Sequence, residues 1–246
     1  PHFKSWSGKW FDYMGQCDLK FIEAPKFDGQ QDLNINIRTK LIWDYSFVEA
    51  AAIQIGEDVL EVGGYGDYAL NGVDSAAGHN QVGTLGGYAV FHNELNKKKN
   101  TYDIVLAPNE NITLASYKSL VSVQINVEHP EKYFGYSKGI IGSFNGDMLS
   151  RSGEVMDPEA DEVAFGQEWQ ITDEEAMIFR SARAPQYPAE CEMANKGASA
   201  QRRLGESIAE EAAHKACAHK TGAQFNNCVY DVMAIGDLEL ASSGVY

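Results

Sequence analysis

Gly142-Ser143-Phe144-Asn145-Gly146-Asp147 is the stretch on which the reading of this 246-residue chain turns. Its Asn-Gly and Gly-Asp steps mark a tight turn. Two other stretches, far away in the chain, belong with it. One is the opening run, Pro1-His2-Phe3-Lys4-Ser5-Trp6-Ser7-Gly8-Lys9-Trp10-Phe11-Asp12-Tyr13-Met14-Gly15-Gln16-Cys17. Within it, Trp6-Ser7-Gly8-Lys9 reads as a turn and Trp10-Phe11-Asp12-Tyr13 as a strand. The other is Phe165-Gly166-Gln167-Glu168-Trp169.

Between these stretches the pattern is that of strands. Residues 33–39 alternate apolar and polar with period two, as a half-buried antiparallel strand does. Residues 17–24, 45–55, 58–62, 88–91, 102–106, 112–114 and 120–127 also read as strands. Residues 25–31 read as a loop, and glycine-rich 63–87 as a hairpin and a long loop. Many short strands separated by turns predict a mainly β protein, an antiparallel β-sandwich.

After Trp169 the texture changes. Residues 173–184 read as a helix with Thr172 as N-cap and acids in the first turn. Pro185, Tyr187 and Pro188 form a linker. Residues 198–220, rich in Ala, Glu, Lys and Arg, predict a helix stopped by Thr221-Gly222, and 224–235 predict a second. The expected organisation is a β domain over 1–172 and a small C-terminal helical subdomain over 173–246.

Composition narrows the function classes. Hydrophobic residues make up 44% and aromatics 11%, which fits a folded chain. The net charge of -15 disfavours nucleic acid, which needs a clustered basic surface, and anionic lipid. No apolar run approaches the ~18 residues of a membrane helix, so membrane insertion is not expected. The cysteines are Cys17, Cys191, Cys217 and Cys228; an even number in a secreted setting predicts two disulfides, with three pairings open. Asn111-Ile112-Thr113 is an N-glycosylation sequon, consistent with an extracellular protein.

The three quoted stretches resemble the signature ends of the von Willebrand factor type D domain family. That family opens with Gly-Asp-Pro-His-Phe, an aromatic-X-Gly turn, Phe-Asp-Tyr and Gly-X-Cys. It closes with Cys-Gly-Leu-Cys-Gly-Asn-Phe-Asn-Gly-Asp and, further on, Phe-Gly-X-X-Trp. The resemblance covers residues 1–172. Phe225-Asn226-Asn227-Cys228-Val229-Tyr230-Asp231 is similar to the core of the eight-cysteine module that comes after such domains, with most of its cysteines missing.

The resemblance implies several properties. It pairs Cys17 with Cys191, leaving Cys217 and Cys228 to pair within a helical hairpin. It implies calcium bound by oxygens of the opening turn and the Asn145 loop: Ser7, Ser143, Asn145, Asp147 and Glu154. The family's turn aspartate is Ser7 here, its first asparagine is Ser143, and its paired acids are replaced by Ser150, Arg151 and Ser152. Pro1-His2 matches the new N-terminus left when an Asp-Pro bond cleaves itself. The chain is therefore expected to be a C-terminal cleavage product, with His2 as a proton donor in that step. The two cysteines of Cys-Gly-Leu-Cys stand as Lys138 and Ile141, so an upstream fragment of the precursor would be held by strand pairing and packing alone.

Two enzyme-like patterns carry little weight. Gly135-Tyr136-Ser137-Lys138-Gly139 has the Gly-X-Ser-X-Gly spacing but no helix pattern after it. Gly64-Tyr65-Gly66-Asp67-Tyr68-Ala69 lacks the helix and the parallel unit of a dinucleotide site. His214 and His219, five apart, are expected on the surface. The expected function is therefore a non-catalytic extracellular structural or adhesion module. It would help assemble a secreted polymer, filament or matrix with the upstream fragment, other extracellular structural proteins or copies of itself. A secreted enzyme on the same scaffold would reveal itself by coupled titratable groups in a pocket. A lipid carrier would reveal itself by an apolar cavity.

Overall fold

The structure is a computed structural model that describes residues 1–42, 45–74, 80–175, 177–183, 185–194 and 208–244. The chain opens with β1 (His2–Lys4) and β2 (Trp10–Asp12), an antiparallel pair joined through the Trp6–Lys9 turn. It continues through β3 (Gly15–Gln16), β4 (Asp18–Phe27), β5 (Gln31–Ile42), β6 (Tyr45–Ile55), β7 (Asp58–Gly63), β8 (Tyr68–Leu70) and β9 (Val73–Asp74). Then come β10 (Asn80–Leu85), β11 (Tyr88–Asn96), β12 (Lys99–Ala107), β13 (Glu110–Tyr117) and β14 (Leu120–Asn126). Short helices α1 (Pro130–Phe134) and α2 (Glu162–Glu168) come next, then β15 (Glu192–Met193), α3 (Glu210–Cys217) and α4 (Gly222–Ile235).

β4 to β9 form one antiparallel six-stranded meander and β10 to β14 a five-stranded one. The inward residues of both interlock in one core: Leu33, Ile35, Ile37, Ile53 and Leu60 from the first, Val90, Tyr102, Ile104, Ile112 and Leu114 from the second. These sit at alternate positions, since successive side chains of a strand point to opposite faces. The protein is thus the expected mainly β, antiparallel sandwich with small C-terminal helices.

The outer face of the six-stranded sheet departs from expectation. Asn36 and Arg38, polar positions of an alternating strand, are buried. The segment 171–183 lies over them as a strap, and it is not the helix predicted for 173–184; among its described residues it makes only turns and bends. Neighbouring Ile178 and Phe179 are buried in one cluster with Ala50 and Ala52. Arg38 stacks on the Phe179 ring at 4.4 Å and donates to the Ser181 carbonyl at 2.7 Å. Tertiary contacts outweigh a weak helical preference here. Thr172 still meets Glu175, whose carboxylate accepts from the Thr172 N–H at 2.9 Å.

Other boundaries shift. The predicted loop 25–31 is partly strand, since β4 runs to Phe27. Among its described residues the stretch 63–87 holds three strands and a 3-10 turn rather than a long loop. Of the predicted helix 198–220, residues 198–207 lie outside the described residues, and the described part forms α3. The helix predicted at 224–235 is α4, which begins two residues earlier. The helical part forms its own core cluster with Phe47 of β6 and with Tyr117 and Leu120 beside the β13–β14 turn.

Candidate functional site

The three distant stretches of sequence meet at one end of the sandwich. Phe11 packs edge-on against Phe165 of α2, with ring centroids 5.8 Å apart. Trp6 lies against Phe134 and Phe144, and its backbone N–H donates to the Ile141 carbonyl at 3.2 Å. The Met14 N–H donates to the Glu162 carboxylate at 2.6 Å. Gly166 is required for this closure, because a Cβ there would fall 2.0 Å from the Tyr13 ring. Trp169 is buried, and its carbonyl accepts from the Lys20 N–H at 2.8 Å.

Both disulfides form as the resemblance implied. Cys17 joins Cys191 with Cα atoms 5.3 Å apart, beside the β3–β15 pair. Cys217 joins Cys228 between α3 and α4, at 5.9 Å.

Pro1 is buried, and its carbonyl accepts from the Tyr13 N–H at 3.0 Å. His2 is held between two carboxylates. Its Nδ1 donates to Asp12 Oδ1 at 2.5 Å, while Nε2 lies 3.3 Å from Asp231 Oδ1 of α4. The second contact is ionic rather than an aligned hydrogen bond. Burial works against the imidazolium, but the Asp12 hydrogen bond and the nearby Asp231 and Asp12 carboxylates outweigh it and raise the His2 pKa to about 9. Tyr230 stands edge-on to His2, and Tyr45 edge-on to Tyr230 at 4.5 Å. Sequence reasoning placed His2 at a cleavage step and missed its partners. Asp231 is separated from it by almost the whole chain, and no local pattern announces the pair.

Beside His2 runs a cavity of about 620 Å³. Its walls are residues 1–8 on one side and 120–125 of β14 on the other, with Phe21, Ile37 and Val48 as an apolar floor. Gln224, Asn227 and Asp231 of α4 also line it.

The residues implied for calcium are brought partly together. Gly146, with φ +96, turns the loop so that its Cα approaches Ser7; a Cβ there would lie 3.3 Å from the Ser7 Cβ. Ser7 shares a 2.9 Å hydroxyl hydrogen bond with Ser5, and Ser143 donates to the Asp147 carbonyl at 3.2 Å. Asn145 and Glu154 are exposed and Asp147 stands at the same loop. Calcium needs about six to eight oxygens, several of them charged. Among the described residues no group of three or more acidic, histidine or cysteine side chains gathers. Two of the five side chains, Ser7 and Ser143, are engaged in hydrogen bonds within the protein. Arg151 points elsewhere, donating to the Glu168 and Gln170 carbonyls and to Glu175.

Asn111 sits on interior strand β13, half-buried between Val105 and Asn126. Its sequon partner Thr113 donates to Asp103 at 2.5 Å. Ser137 is buried in the turn after α1, with no strand-to-helix elbow around it. His214 and His219 are exposed. No protein-family model matches this chain. No curated protein matches it.

Proposed function

We propose that this chain is an extracellular structural module of the von Willebrand factor type D class, working in assembly or adhesion and not in catalysis. The observation that carries the reading is the disulfide-closed body. Cys17–Cys191 ties the opening strands to the start of β15, and Cys217–Cys228 ties the helical hairpin. Disulfides persist in oxidising compartments, and closing a long loop restrains the unfolded chain most. The meeting of the three signature stretches in one packed cluster supports the class.

The enzyme reading asks for coupled titratable groups in a pocket, and His2 with Asp231 are such groups. Yet His2 keeps its proton through neutral pH between two carboxylates. An imidazolium so held is a strut and a poor general base. A carrier of an apolar ligand is the second reading, favoured by the cavity and its apolar floor.

The test is the state of the native material. Purified from its source without reducing agent, the protein is expected in a large complex with other extracellular chains, identified by mass spectrometry. A lone monomer carrying lipid would replace the module reading with the carrier reading.

A further inference from the structure

β14 is an edge strand: among the described residues it pairs with β13 alone, and no further backbone hydrogen bond reaches it. β1 likewise pairs only with β2. An edge strand turns the N–H and C=O of every second residue away from its neighbour, where they need water or another strand. β4, an edge of the other sheet, has these groups met by its own chain: Glu23 exchanges bonds with Lys138, Ile140 donates to Lys20, and Ile171 donates to Asp18. β14 has no such cover among the described residues.

The cavity lies along this edge. A hollow over one face of a strand touches alternate residues, because side chains alternate. This one touches the unbroken runs 1–8 and 120–125. Within these runs β1 covers only His2–Lys4, and residues 5–8 form the turn after it. The cavity therefore passes along β14 and along the short strand β1, each unpaired on one side among the described residues. Its floor is apolar. A fatty chain would match the floor but leave the outward N–H and C=O groups of β14 without partners. A polypeptide strand satisfies both, by main-chain pairing and by alternate side chains turned to the floor. At the rim stands Lys4, exposed and without an ion pair among the described residues. The lining acid Asp231 is already met by His2.

We propose that this groove receives an extended polypeptide strand from a partner chain, with apolar side chains at alternate positions and a carboxylate opposite Lys4. Seated there, the strand pairs with β14 and links the five-stranded sheet to the β1–β2 pair. The proposal deepens the structural-module reading and rests on it for the class of partner.

The test begins with a library of random displayed peptides, selected against the full disulfide-intact chain. A selected peptide is then synthesised and its binding tracked by hydrogen exchange. The expected peptides alternate apolar and polar residues, carry an Asp or Glu, and protect the amides of both β14 and β1. Lys4→Glu is expected to weaken binding about tenfold, and a Lys in place of the peptide's acid to restore it. Lys4 is exposed, so this variant keeps the fold. Peptides that protect other surfaces, an unchanged affinity of Lys4→Glu, or no selected peptide at all would each overturn the proposal. So would a fluorescent long-chain fatty acid that fills the groove and that no peptide displaces. A large native complex alongside any of these failures would leave the module reading standing and remove only the groove.

Discussion

At the residue scale, His2 is the most consequential side chain, because it joins β1 to β2 and to α4 through Asp12 and Asp231. Its folded pKa of about 9 lies above the ordinary histidine value of 6.5. The stabilisation is then complete below about pH 6.5 and is lost as pH rises through about 9, amounting to on the order of 3 kcal/mol. Denaturant unfolding from about pH 6 to about pH 10 is expected to show this loss in the native sequence and not in His2→Ala. An NMR titration placing the His2 midpoint near 6.5, its ordinary value, would contradict it. The sequence marked His2 as notable for its place beside a cleavable bond, whereas its carboxylate partners come from separate elements. Gly166 was legible only as a letter of a motif; the Tyr13 ring supplies the physical reason.

At the element scale, strands were more legible than helices. The alternation in β5 and the apolar runs of β6 and β14 are local signals, and a half-buried sheet imposes period two on them. The sequence predicts a helix over 173–184 because its local composition favours one, whereas the described residues of the strap make turns and bends that bring Ile178 and Phe179 to Ala50, Ala52 and Arg38. The two disulfides differ in what they restrain. Cys17 and Cys191 are separated by 174 positions, Cys217 and Cys228 by 11. Loop-closure entropy predicts that replacing the first pair with serines costs about 5 kcal/mol and the second about 3 kcal/mol. Equilibrium unfolding of the two double variants measures this directly, and a larger loss from the shorter loop would refute the ranking.

At the scale of the whole molecule, the helical part packs against the sheets. The helical part buries Ala213, Cys228 and Val232 against a cluster that includes Phe47, Tyr117 and Leu120 from both sheets. Asp237 accepts from the Tyr117 hydroxyl at 3.0 Å and also meets Lys118. Thermal unfolding monitored by far-UV circular dichroism and by tryptophan fluorescence is therefore expected to give one coincident transition, since the described tryptophans lie in the β part. Two separated transitions would show that the helical part stands alone. The sequence by itself determined the class of fold, the strand-rich order and the cysteines available for pairing, because periodicity, turn residues and residue type act over a few neighbours. Only the tertiary structure decided the burial of Arg38 under a strap, the ionic clasp on His2 and the edge of β14 that no other described strand pairs. Those depend on groups far apart in the chain, and a folded backbone is what brings them within a few ångströms of one another.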